Sequence, residues 1–124
     1  MPKHYSDLQD RLIDFAVTVI RTADLLPDTK IGKHIKGQIT RSCTSPAPNY
    51  GEAQDAESRA DFIHKIKISL KELRETKVWL QMIDRSSLIK PSEKLKPIII
   101  ETDELISIFV ASVRTAKKNS KKGK

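Results

Sequence analysis

The sequence predicts an all-α protein, an antiparallel up-down-up-down four-helix bundle whose second helix bends near Pro46 and Pro48. Apolar residues recur at three- and four-residue spacing through four long segments, the period of helices with one buried face. The 124 residues include only three Phe, two Tyr and one Trp, so the core must be aliphatic, which suits helices packed side by side. Four glycines and few alternating β-branched runs argue against a sheet. By length the chain is one domain, with residues 1–117 expected in the bundle and 118–124 as a disordered basic tail.

The first helix is expected over residues 6–26. Ser6 is placed to cap it, Asp7 and Asp10 favour its positive end, and Leu8, Leu12, Phe15, Val19 and Leu26 form its stripe. Ile13, Val17 and Ile20 widen that stripe, and Pro27 stops the helix. The second helix starts after Asp28 or Thr29. Its stripe begins apolar at Ile31 and Ile35, then turns polar through Gln38, Ser42, Ser45, Asn49 and Glu52. Pro46 lacks an amide hydrogen and crowds the carbonyl four residues back, which bends or breaks the helix there.

Ser58 followed by Asp61 reads as the start of the third helix, which runs to about Asp84. Phe62, Ile66, Ser69, Leu73, Thr76, Leu80 and Ile83 alternate by four and three, a heptad seam. The fourth helix is expected from Pro91 or Ser92 to Lys117, with Leu95, Ile98, Ile99, Thr102, Leu105, Ile106, Phe109, Val113 and Ala116 inward.

Composition narrows the function classes. A single cysteine, Cys43, excludes an internal disulfide and offers no thiolate cluster for zinc. The longest uncharged apolar-rich stretch, residues 105–113, is far short of the ~20 residues that span a bilayer, and no signal pattern opens the chain. A cytoplasmic chain without a membrane partner is expected. Of the net charge of +7, residues 114–124 hold six of the 23 basic residues and none of the 16 acids. The rest is nearly neutral, so net charge alone says little about nucleic acid.

Three constellations bear on function. Gln38, Arg41, Ser42, Asn49 and Glu52 read as a buried polar network, with Ser45 beside it. Its structural role would be to satisfy backbone groups freed by the proline bend and to pair Arg41 with a carboxylate. The alternative is a ligand or RNA site between helices. Lys30, Lys33, Lys36 and Arg41 form a run with no acid between Thr29 and Gly51, and Lys67, Lys71 and Arg74 add a second basic set. These seven are the candidate nucleic-acid contacts, acting through phosphates, because no aromatics are interleaved for base stacking. Asp61 and His64 alone lack the further ligands that a metal-binding bundle needs, so no metal or cofactor is expected. Without a paired acid–base set or a phosphate-cradling glycine loop, no enzyme is expected either.

The stretch from Gln38 to Leu80 resembles the signature of the four-helix bundle family of 23S ribosomal RNA intervening-sequence proteins. Gln38, Arg41 and Ser42 match its opening, Asn49 and Glu52 its middle, Ser58, Asp61 and Phe62 its next block, and Glu72 its central glutamate. Pro46, Pro48 and the run Asn49–Ala53 depart from the family pattern at the bend. That family is similar to the accessory variability determinant of diversity-generating retroelements, a five-fold ring that binds nucleic acid and a reverse transcriptase. The resemblance implies a homopentameric, non-enzymatic scaffold that binds RNA or DNA, with a reverse transcriptase among its partners. The alternative is a protein–protein interaction module without nucleic-acid contact. It is motivated by apolar residues off the seams: Ile13, Ile63, Leu70, Trp79, Ile100 and Ile108.

Overall fold

The protein's structure, a computed structural model, describes the backbone of residues 4–122 and the side chains of residues 7–119. Five α-helices follow one another: α1 (His4–Ala23), α2 (Lys30–Thr44), α3 (Pro46–Gln54), α4 (Arg59–Arg85) and α5 (Lys96–Lys122), with a 3-10 turn at Ser92–Lys94 before the last. Helices α2 and α3 together form the second rod of a four-helix bundle. No strand occurs among the described residues.

The break between α2 and α3 follows from two missing donors. Neither Pro46 nor Pro48 can bond the carbonyl four residues back, so the helical ladder loses Ser42 and Thr44 as acceptors. Ser45 keeps helical dihedrals (φ −80°, ψ −38°), so the interruption is one residue wide. The Asn49 side-chain amide donates to the Ser45 carbonyl (3.0 Å) and hydroxyl (3.1 Å), stitching the joint locally. Two other helices brace it. Ser69 Oγ donates to the Pro46 carbonyl (3.2 Å) and Gln9 Nε2 to the Ala47 carbonyl (3.0 Å).

Helix starts follow side-chain chemistry. Thr29 Oγ1 accepts from the Gly32 amide (3.1 Å) at the start of α2, and Ser58 Oγ accepts from the Asp61 amide (3.0 Å) at the start of α4. Gly32 is required there, because a β-carbon would overlap the Pro27 carbonyl oxygen. Helix α4 ends in a Schellman turn. The Leu88 amide bonds the Ile83 carbonyl (3.2 Å), the Ser87 amide bonds that of Asp84 (3.1 Å), and Ser87 takes a left-handed φ of 58°.

Four boundaries differ from expectation. Helix α1 starts ahead of Ser6 and stops at Ala23, where Leu25 and Leu26 bond carbonyls three residues back and tighten the exit. Helix α5 starts at Lys96, after the 3-10 turn rather than at Pro91 or Ser92. Its far end continues to Lys122, through residues expected to be a disordered tail; residues 123–124 lie outside the described residues.

The core is aliphatic and runs the length of the bundle. Leu12, Val19, Ile39, Ile66, Leu73, Leu80, Ile83, Leu95, Leu105 and Phe109 are essentially fully buried. Cross-helix partners run in opposite order along α2–α3 and α4, with Ser42 on Thr76, Pro46 on Ser69 and Glu52 on Lys65. These two rods are therefore antiparallel. The off-seam residues Leu70, Trp79 and Ile108 turn out to be covered within the chain, whereas Ile13 (45 %) and Ile100 (58 %) are exposed.

Candidate nucleic-acid interface

The α4 residues Lys67, Leu70 and Arg74 follow a three- and four-residue spacing, as do Val110, Val113 and Lys117 on α5. Where the two helices pack, a furrow of about 270 Å³ opens between Leu70 and Arg74 on one side and Val110, Val113, Arg114 and Lys117 on the other. Its floor is apolar and its rim is cationic. The Lys67 and Lys117 amines lie side by side. That proximity holds the Lys117 amine below the usual lysine range, because each ammonium disfavours the other. Among the described residues, no carboxylate lies in ion-pair range of Lys67, Arg74, Arg114 or Lys117. The sequence explains why: α5 carries no acid after Glu104, and α4 carries none from Phe62 to Lys71.

The α2 cations are differently placed. Lys33 pairs with Asp28 (3.2 Å) and Lys36 with Asp24 (2.9 Å). Arg41 bonds Glu72 (3.3 Å) and Glu75 across the α2–α4 groove. The run between Thr29 and Gly51 is acid-free in sequence, yet acids before it and on α4 neutralise three of its members. Lys30 is exposed. Of the seven predicted contacts, the structure places Arg74 on the furrow lining with Arg114 and Lys117, and Lys67 beside the Lys117 amine. Lys71 is exposed outside the furrow lining. Lys30, Lys33, Lys36 and Arg41 are on another rod.

The proposed polar network needs correction. Ser42 is fully buried and Gln38 and Asn49 are half-buried, but Arg41 and Glu52 are exposed. Glu52 contributes nothing to the proline joint. It pairs with Lys65 (2.6 Å), which raises the Lys65 pKa. An arginine and a glutamate on long stems reach the surface readily, so a polar stripe in sequence need not be a buried one. The buried polar residues are instead Ser42, Ser69, Thr76 and Thr102. Thr76 Oγ1 lies 2.8 Å from Ser42 Oγ and 2.9 Å from the Glu72 carbonyl, while Thr102 Oγ1 donates to the Ile98 carbonyl (2.6 Å). Among the described residues, every buried side-chain nitrogen and oxygen has a partner. These hydroxyls are fully occupied by the bundle itself.

Other reactive groups are similarly absorbed. The Cys43 thiol packs against the Ala16 and Thr40 carbonyls, and burial pushes its pKa up to about 11, far from a nucleophilic thiolate. No group of three or more metal-ligating side chains forms among the described residues. A second furrow, about 490 Å³ between α1 and α5, is lined by Asp7, Asp10, Asp14 and Glu101 around Arg11. Arg11 forks onto Glu101 and Glu104 at 2.7 Å, which holds its guanidinium charge firmly. Among the described residues, no helix is long and apolar enough to cross a membrane.

These features define an all-helical bundle with a cation-rimmed furrow between its two longest helices. The family model of the 23S rRNA-intervening sequence protein matches residues 6–111, and the chain belongs to that family. A solved structure of a protein of unknown function from the S23 ribosomal protein family of Bacteroides thetaiotaomicron is similar. It is 33 % identical with a TM-score of 0.78, over 86 % of this chain and 97 % of that one. No curated protein matches the sequence.

Proposed function

We propose that this protein is a non-enzymatic, homo-oligomeric helical scaffold that binds the phosphate backbone of RNA or DNA through the α4–α5 furrow. One observation carries the reading. Arg74, Arg114 and Lys117 line the furrow, Lys67 adjoins Lys117, and none of the four has a carboxylate in ion-pair range among the described residues. A phosphate backbone laid against these cations releases counterions, the main source of sequence-independent affinity for nucleic acid. Leu70, Val110 and Val113 give the furrow an aliphatic floor, and no aromatic lines it for base stacking. Binding is therefore read as backbone recognition without base readout.

The test is fluorescence anisotropy of a labelled RNA hairpin and a DNA duplex across a salt series. Lys67→Ala with Arg114→Ala should weaken binding, and Lys30→Ala, Lys33→Ala and Lys36→Ala together should not. Equal losses from both sets would overturn the assignment. A homopentamer and a reverse transcriptase partner rest on the family resemblance, and are tested by mass in solution and by co-purification. The alternative, a protein-interaction module, is favoured by exposed Val17, Val78 and Met82. It would stand if no nucleic acid bound at low salt.

A further inference from the structure

One lysine lines the furrow between α4 and α5, and its surroundings differ from those of the other lysines. Lys33, Lys36, Lys65 and Lys77 have their amines tied to Asp28, Asp24, Glu52 and Asp103. Lys117 has no acid in ion-pair range among the described residues, and its amine adjoins that of Lys67 instead. Repulsion between two ammoniums favours the neutral amine, which is the form that attacks an electrophile. Lys117 is exposed, so a small reagent reaches it.

The groups around the amine select the electrophile. Arg74 and Arg114 lie on the same lining, one from each helix. The helices run in opposite directions here, since Lys77 pairs with Asp103 (2.6 Å) while Lys67 adjoins Lys117. Arg74 is seven residues beyond Lys67, and Arg114 is three before Lys117. Both guanidiniums therefore fall along the furrow on the same side of the two amines, about 4.5 to 10.5 Å away along the helix axes. Guanidiniums hold phosphoryl oxygens in a fork and stay charged at any working pH. Leu70, Val110 and Val113 make the floor, and about 270 Å³ of space suits a short aliphatic chain. A phosphoryl group on the arginines, a small acyl chain over that floor and a carbonyl carbon beside Lys117 describe an acyl phosphate.

We propose that Lys117 is an acylation site, modified directly by short-chain acyl phosphates that the furrow holds through Arg74 and Arg114. The Lys117 nitrogen attacks the carbonyl carbon and a C–N bond forms. The C–O bond to phosphate breaks, and its electron pair leaves on the phosphate oxygen. The nitrogen sheds a proton to the departing phosphate, and nothing is oxidised or reduced. Two guanidiniums match the double negative charge of the phosphoryl group, so Lys67 remains the group that governs protonation of Lys117. They also receive the charge that grows on the leaving oxygen. The product is a neutral amide. Its consequence rests on the nucleic-acid reading above: acylation removes one of the four cations and weakens phosphate binding in the furrow.

The experiment incubates the full chain with acetyl phosphate near neutral pH and follows acetyl occupancy at each lysine by peptide mass spectrometry. Lys117 should be labelled roughly tenfold faster than exposed Lys30 or Lys118, the gain expected from charge-assisted contacts to the donor. Labelling of Lys117 at their rate overturns the site. Arg74→Ala with Arg114→Ala, checked for unchanged helicity by circular dichroism, should remove the preference. The acetyl ester of N-hydroxysuccinimide carries no phosphate, and with it the double variant should lose far less. Equal losses with both donors overturn the role given to the arginines. The readout is covalent mass, so it stands or falls whether or not RNA binds. Anisotropy with the acetylated protein tests the consequence: weaker RNA binding is expected, and unchanged binding overturns that step alone.

Discussion

The salt dependence of RNA or DNA binding puts a number on the furrow. Four cations, Lys67, Arg74, Arg114 and Lys117, are available without ion-pairing carboxylates among the described residues. If each neutralises one phosphate, log K against log salt should fall with a slope of about −3.6 for a duplex, per copy engaged. Raising salt from about 50 to about 200 mM then weakens binding roughly 150-fold. Removing Lys67 and Arg114 together should reduce the slope to about −1.8 and that loss to roughly 12-fold. Arg41→Ala should leave the slope where it was, because its guanidinium is already held by Glu72 and Glu75. Anisotropy titrations at four or five salt concentrations measure all three. A wild-type slope near about −1, or an Arg41→Ala change as large as the furrow double variant's, would refute the idea that these four cations meet phosphates.

Three further outcomes follow from the same structure. Lys117 is held below the lysine range by Lys67, so a bound phosphate should draw a proton onto it; affinity should fall as pH rises toward the ordinary value of about 10.4, and at higher pH in Lys67→Ala than in wild type. Ser87 holds a left-handed φ of 58° at the end of α4, so Ser87→Gly should raise unfolding stability by about 0.5–1 kcal/mol in urea denaturation, and no gain would mean the turn is otherwise constrained. Ser42→Ala and Thr76→Val should each cost only about 0.5–1.5 kcal/mol, because the surviving hydroxyl keeps its own helix carbonyl, Glu72 or Ile39. A loss above about 3 kcal/mol in either would show that the pair is a buried network without local alternatives.

Much of the fold was legible because burial and helical period coincide. The α4 seam from Ile66 to Ile83 is buried position by position, including Ser69 and Thr76, whose hydroxyls find carbonyl partners. The proline joint was legible for a similarly local reason: missing amides at 46 and 48 remove bonds whatever surrounds them. Helix ends were harder. The early stop of α1 depends on amides of Leu25 and Leu26 turning back by three, and the Schellman turn uses serine where glycine is the usual signal.

The site was less legible, and the reason is that ion pairing is a property of neighbours rather than of runs. Lys33, Lys36 and Arg41 form an acid-free stretch, yet their carboxylates come from Asp28, Asp24, Glu72 and Glu75, of which the last two are more than thirty residues away in sequence. Arg114 and Lys117 were placed in the last helix by the sequence but not among the candidate contacts, whereas they lie on α5 opposite Arg74, with Lys67 beside Lys117. One sequence signal did exist: Val110, Val113 and Lys117 share a three- and four-residue spacing within the predicted helix, which places the basic residue beside an apolar line. Coulomb energy falls with distance and is screened within about 8–10 Å in physiological salt, so a charge acts on whatever the fold puts beside it. For this bundle, the cations that matter for a phosphate are those left without an acid after the four rods have packed.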